Sequence, residues 1–206
     1  MRLPLTLVCV ILALSSSPAS ADVQLDLGTA RLTLDERGRV TAFALADGSH
    51  WPVDDRPVFS LETDKGIRVP ESVELAGDVL KVRFQGGAVA EFTVKTTRTA
   101  AGPSAATATR GVAVFELRRL QTDEPPTMLR LFHLAVPPRA EVAGTLNACS
   151  TPDWSVAVMG AEPNVDAGLE SSGGSSAEDQ KRFHFLISPV LLKEFSDMIR
   201  QCSLVF

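Results

Sequence analysis

Tyrosine is absent from this 206-residue chain, which has only three histidines, three cysteines and two tryptophans. Each shortage removes a class of function. His50, His133 and His184 lie far apart, with no His-x-His or His-x-x-x-His spacing, so they do not suggest a metal centre. Basic charge is scarce too, with 20 Lys and Arg against 25 Asp and Glu and a formal charge of -5. A mildly acidic chain lacks the basic patch that nucleic-acid phosphates demand, and it offers no polybasic attraction to anionic lipid. Gly-x-Ser-x-Gly is missing, as are the phosphate-binding glycine loops, so neither a serine hydrolase nor a nucleotide enzyme is indicated. No residue is assigned a catalytic role, no cofactor is implied, and whether the chain is an enzyme stays open.

What acids and aromatics there are gives few leads. Glu91, Glu116 and Asp153 lie on or near strands, and paired carboxylates hydrolyse sugar bonds. With 25 acids, however, almost any sequence supplies such pairs. Asn164 to Glu170 is oxygen-rich like a short calcium loop but lacks the twelve-residue spacing of an EF-hand, and an ordinary turn is the alternative. Sugar rings stack on flat aromatic faces. Trp51 follows the turn Asp47-Gly48-Ser49-His50 and Trp154 follows Pro152-Asp153. Trp51, Trp154 and Asp153 are therefore the candidate ligand contacts, with core packing as the alternative for each ring. Phe43, Phe59, Phe84, Phe92, Phe115 and Phe132 recur on alternating segments and read as core.

The chain opens Met1-Arg2, followed by an apolar run from Leu3 to Leu14 and the small residues Ser15 to Ala21. A positive start, a short apolar centre and an Ala19-Ser20-Ala21 ending make a signal peptide over residues 1–21. The apolar run of about 12 residues falls short of the roughly 20 that a membrane span needs. Cys9 sits inside that run and not at the cleavage point, which argues against a lipoprotein. The expected product is secreted or periplasmic, begins at Asp22 and carries no membrane span. Losing Arg2 moves the formal charge from -5 to -6. Cys149 and Cys202 then remain in an oxidising compartment, and either a disulfide or two separate buried thiols fits.

From Val23 onward the sequence alternates apolar and polar residues between turn signals. Val23 to Leu27, Ala30 to Leu34 and Val40 to Leu45 read as strands, with Asp35-Glu36-Arg37-Gly38 as a hairpin turn. Asp64-Lys65-Gly66, Gly86-Gly87 and Asp123-Glu124-Pro125-Pro126 punctuate later strands, of which Val112 to Leu120 is the strongest. Roughly ten to twelve short strands at intervals of about 8–12 residues indicate an all-β antiparallel sandwich over residues 22–169. Residues 170–177 look like a linker. Residues 178–206 are expected to form a helical tail. Ser188-Pro189 would cap it, and Leu191, Leu192, Phe195, Met198, Ile199 and Cys202 fall at helical spacing over Val190 to Cys202. Either this helix docks on the sandwich or the chain is the N-terminal piece of something longer; the second is the expectation adopted.

The stretch Ala30-Arg31-Leu32-Thr33-Leu34-Asp35-Glu36-Arg37-Gly38-Arg39-Val40-Thr41-Ala42-Phe43, with Asp47-Gly48 after it, resembles the opening hairpin of galactose mutarotase-like β-supersandwich domains. Such domains precede the catalytic part of several secreted glycoside hydrolases. Pro57 to Leu61 and the later strands are consistent with the resemblance over residues 23 to 165. It implies a supersandwich-like accessory domain, with carbohydrate and a missing catalytic domain as partners. It transfers no catalytic residue: His133 and Glu116 fall on strands, but their local motifs do not match a mutarotase. A stand-alone carbohydrate-binding or ligand-binding protein is the alternative function, and a small epimerase-type enzyme comes third. The scarcity of tryptophan and tyrosine counts against a dedicated carbohydrate-binding module.

Overall fold

The computed structural model describes residues 22–45, 48–51, 53, 55–100, 109–136, 140–143, 148–150, 155–160, 165–171, 181–187 and 200–205. Residues 1–21, the expected signal peptide, lie outside them. Every strand pairing is antiparallel, and the chain is an all-β sandwich. Among the described residues there are sixteen strands and no α-helix.

The first sheet has three strands in the order β1 (Val23–Asp26), β2 (Ala30–Leu34) and β3 (Val40–Leu45). Alternation sets its faces: Val23, Leu25, Leu32, Leu34 and Phe43 are buried while Gln24, Arg31 and Thr41 are exposed, as the period-two geometry of a strand requires. Asp35 holds the β2–β3 turn. Its Oδ1 accepts the N–H groups of Arg37 and Arg39, each at 2.9 Å, and its Oδ2 accepts Nε of Arg39 at 2.7 Å. Gly38 supplies the left-handed φ of 70° that the turn needs and is buried against Val73 and Phe59, so the hairpin tip docks on the body. Val58 and Val73 donate their N–H groups to the carbonyls of Gly38 and Glu36, at 2.8 and 2.9 Å.

Five strands form the second sheet, β14 (Val165–Ser171), β15 (Lys181–Ile187), β10 (Pro126–Ala135), β4 (Ser60–Thr63) and β5 (Gly66–Arg68), in that order. The third has eight: β11 (Glu141–Ala143), β12 (Ala148–Ser150), β13 (Ser155–Gly160), β16 (Arg200–Val205), β9 (Thr109–Gln121), β8 (Val89–Ala100), β7 (Val79–Phe84) and β6 (Pro70–Ala76). The buried residues Leu80, Phe92 and Leu117 stand in register across β7–β9, and the row ends at the edge strand β6 on the exposed Leu75. In the adjacent register row, Glu74, Lys81, Glu91 and Arg119 make a ladder of alternating charge on the opposite face. Lys81 and Glu91 pair at 3.1 Å. Such cross-strand pairs are worth a few tenths of a kcal/mol each, and the ladder marks this as the solvent face.

Aromatic rings join the large sheets. Phe92 on β8 stacks against Phe59 just before β4, Phe59 meets Phe132 of β10 at 5.7 Å, and Phe132 meets Phe115 of β9 at 4.4 Å. Phe132 has a left-handed φ of 52° because β10 carries an extra residue there: Leu131 and Leu134 are three apart where their β15 partners, Phe185 and Phe183, are two apart. A left-handed non-glycine residue costs roughly 1–2 kcal/mol. Full burial of the ring contributes about 1.5–3 kcal/mol and its aromatic contacts about 0.5–1.5 kcal/mol each, so packing outweighs the strain. Glu124, in the β9–β10 loop, ties that loop to the β4–β5 hairpin: it accepts from Lys65 Nζ at 2.6 Å and Thr63 Oγ1 at 3.2 Å and pairs with Arg68. The Lys65 hydrogen bond, ahead of those from Thr63 and Arg68, holds its carboxyl below the usual carboxylate range.

The expected helical tail is corrected. Arg200 to Cys202, the end of the predicted helix Val190 to Cys202, belong to β16, which lies between β9 and β13; residues 188–199 lie outside the described residues. Residues 181–187 are likewise strand, and Glu170 and Ser171, assigned to the linker 170–177, finish β14.

The first sheet is fixed to the third by a backbone crossing. A Cβ on Gly28, in the β1–β2 turn, would sit 2.5 Å from Gly111 Cα, while one on Gly111 would overlap Thr29 N and come within 2.7 Å of Leu27 O. Only two glycines permit that approach. Gly111→Ala is therefore expected to destabilise the fold by about 3 kcal/mol or more, measured as a lower midpoint in urea unfolding; an unchanged midpoint would remove the crossing from the account. The Asp35 turn makes a second prediction. Partial burial pushes its carboxyl up, but the Arg39 and Arg37 hydrogen bonds together prevail and hold it below its ordinary value. The folded pKa thus lies below the unfolded one, so the stabilisation is full above the unfolded value and fades as pH falls through the folded one. Asp35→Ala should cost about 1–2 kcal/mol at neutral pH, and its gap to the unaltered protein should narrow below about pH 4.

Candidate functional site

A concavity with charged walls lies at the end of the first sheet. A groove of about 450 Å³ is lined by Asp26, Gly28, Thr29, Ala30, Arg31, Ala44, Leu45 and Arg98. Its volume falls within the range of small-molecule sites. The β1–β2 turn forms its rim. Leu27 N–H donates to Ala30 O at 2.9 Å, and Gly28, with φ of 90°, donates its N–H to Asp26 Oδ1 at 2.8 Å. This Asp-x-Gly arrangement is the local reason the chain turns here.

Strand β8 supplies the opposite wall. Thr96 Oγ1 donates to the Asp26 carbonyl at 2.7 Å, and Arg98 Nη2 reaches both carboxylate oxygens of Asp26, at 3.3 and 3.4 Å. Asp26 therefore serves the turn and the sheet contact together. Arg31 stands directly opposite Asp26 on β2 and opposite Ala44 on β3. Ala44 and the core residue Leu45 complete the lining.

The residues singled out from the sequence fall elsewhere. Trp51 is a core ring: it is 2% exposed, donates Nε1–H to Ala135 O at 2.5 Å and packs against Phe43 at 5.3 Å. The cause is the β3 turn, which continues the pairing beyond the strand; Trp51 N–H donates to Phe43 O at 2.9 Å and turns the indole inward. Trp51 thus presents no face to a ligand. Trp154 and Asp153 lie outside the described residues.

Glu91 is engaged by Lys81 on the charge ladder. Glu116 is buried, paired with Lys95 at 2.9 Å and Arg118 at 3.6 Å. Each acid thus has its own cation. His50 is exposed at an isolated bridge to Ala44, His133 sits in the β10 bulge donating its N–H to Val58 O at 3.2 Å, and His184 stands in register with Gly168. Among the described residues no three His, Cys, Asp or Glu are grouped to hold a metal. The oxygen-rich segment after Asn164 is strand β14, not a loop.

The disulfide alternative fails on register. Cys149 lies opposite Val156 of β13 and Cys202 opposite Gly160 of the same strand, on its other side. Two strand spacings of about 4.8 Å and four residues of about 3.4 Å put the two Cα atoms roughly 17 Å apart. A disulfide tolerates about 7 Å. Cys149 is a free, buried thiol, and burial pushes it up to about 12.

No protein family, no curated protein and no solved structure matches this chain. The class defined by fold and groove is an all-antiparallel β-sandwich with a polar, arginine-bearing cleft at the end of its first sheet. The groove residues carried little signal in the sequence. Asp26-Leu27-Gly28 is legible as a turn, but nothing links it to Arg98, which reaches it from β8.

Cys149 generates a prediction. Its thiol should stay unmodified by a water-soluble thiol reagent in the folded protein and react only on unfolding, because reaction needs the thiolate. The intact mass should be unchanged by reductant. Rapid modification in the native state, or a mass gain on reduction, would contradict the burial and register described.

Proposed function

We propose that this chain is a non-catalytic, exported β-sandwich domain that serves a carbohydrate-active protein, engaging saccharide through the groove between the first sheet and β8. The observation that carries this reading is the opening hairpin. The segment that resembles galactose mutarotase-like domains, Ala30 to Phe43, is folded as β2 and β3 around the Asp35–Gly38 turn and docks on the remainder of an antiparallel sandwich. The signal-peptide pattern of residues 1–21 supports export, and the acidic composition disfavours nucleic acid.

In that setting the domain shapes one side of a sugar-binding cleft, and a separate catalytic domain supplies the reacting acids. The groove favours a second reading, a stand-alone binding protein, because it is concave and polar without help from another chain. Both readings place saccharide at the groove, and neither assigns turnover to this chain.

Affinity electrophoresis of the full chain through gels containing soluble polysaccharides tests this directly. Retarded migration in at least one polysaccharide, with no new reducing ends released in solution, is the expected result. Release of reducing ends would make the chain an enzyme, and unretarded migration through a panel of acidic and neutral polysaccharides would remove the carbohydrate reading.

A further inference from the structure

The groove has a charge balance that selects among saccharides. Three ionic side chains line it: Asp26, Arg31 and Arg98. Asp26 is already engaged by Gly28 N–H and by Arg98. Arg31 is exposed and forms no ion pair among the described residues. Among the described residues the groove therefore carries one uncompensated positive charge, on a chain whose formal charge is -5. The Arg98–Asp26 pair is solvent-exposed on both sides, with 61% and 56% of the side chains accessible. Exposed pairs of this kind are weak, so Arg98 is free to turn toward an anion.

Among the described residues the lining contains no aromatic ring. Neutral sugars are commonly held by stacking on such rings, and the described lining offers none. What the groove offers is a planar, permanently charged guanidinium, which recognises a carboxylate through two parallel hydrogen bonds. Thr29 and the half-buried Ala44 side chain suit the hydroxyl and C–H faces of a sugar.

We infer that the groove takes a saccharide bearing a carboxylate, a uronate, with Arg31 as its anchor and Arg98 as a second cation. This rests on the carbohydrate reading above and narrows it to the acidic class.

Calorimetric titration of the full chain with a uronate tetrasaccharide and with a neutral tetrasaccharide of the same length separates the two. The uronate should bind at least tenfold tighter than the neutral oligomer, and high salt should weaken it. Arg31→Ala should lose about tenfold or more in affinity, a difference of about 1.4 kcal/mol or more, and Arg31→Lys should fall between. Arg31 is exposed, so its variants should unfold at the same temperature as the unaltered protein; if one does not, the salt dependence of the unaltered protein still decides. Equal binding of both oligomers, unmoved by salt and by Arg31→Ala, overturns the acidic specificity and leaves the carbohydrate reading standing. Binding of neither overturns both. Inorganic sulfate displacing the uronate at comparable affinity would reduce the site to an anion contact and overturn the saccharide component.

Discussion

Two glycines set the relation of the first sheet to the rest of this protein. Where the β1–β2 turn passes over β9, Gly28 and Gly111 bring their backbones closer than any Cβ allows. Neighbouring contacts depend on that approach. It puts the Asp26 carbonyl within reach of Thr96 Oγ1 and its carboxylate within reach of Arg98. It also leaves a groove between the end of the first sheet and β8, with Arg31 on one wall and Arg98 on the other. Larger residues at the crossing would lift the turn and separate those walls.

The same logic of close approach organises the interior. Rings from β8, β9, β10 and the segment before β4 form one chain of contacts across the gap between the two large sheets. Phe132 occupies its centre at the expense of a left-handed backbone in a bulge. The bulge shifts the register of β10 against β15 and places residue 133 where its N–H reaches Val58 O. Bulges of this sort re-aim strands at a modest cost that core packing can carry. The first sheet joins the same core through Leu25, Leu32 and Phe43, so the sandwich has one continuous interior.

Much of this is legible in the sequence. Alternation from Val23 to Leu45 and from Val79 to Phe84 reports a half-buried strand directly, and the Asp35 turn is written in its residue types. The C-terminal strand was not legible. Met198, Ile199 and Cys202 fit helical spacing, while Cys202 and Leu204 alone hint at alternation, and a short segment cannot settle the period. Pairing with β9 and β13 decides it. Trp51 misled for a related reason. A residue soon after Asp47-Gly48 looks exposed unless the strand pairing is carried past the turn, which sets residue 51 against residue 43 and sends the indole inside. The left-handed Phe132 has no sequence signature, since phenylalanine is not a residue that favours that conformation. Arg98 and Asp26 meet only through tertiary packing, so the groove belongs to the fold and not to any motif.

The functional account therefore rests on place rather than on a catalytic constellation: a cleft made by a hairpin docked across a sheet, with Arg31 in no ion pair among the described residues. Backbone-resolved NMR of the full chain during titration with an acidic oligosaccharide tests that placement most directly. The account predicts that the largest shift changes fall together on Asp26 to Arg31, Ala44, Leu45 and Arg98. Shift changes concentrated on the charge ladder of β6 to β9, or elsewhere away from the first sheet, would contradict it.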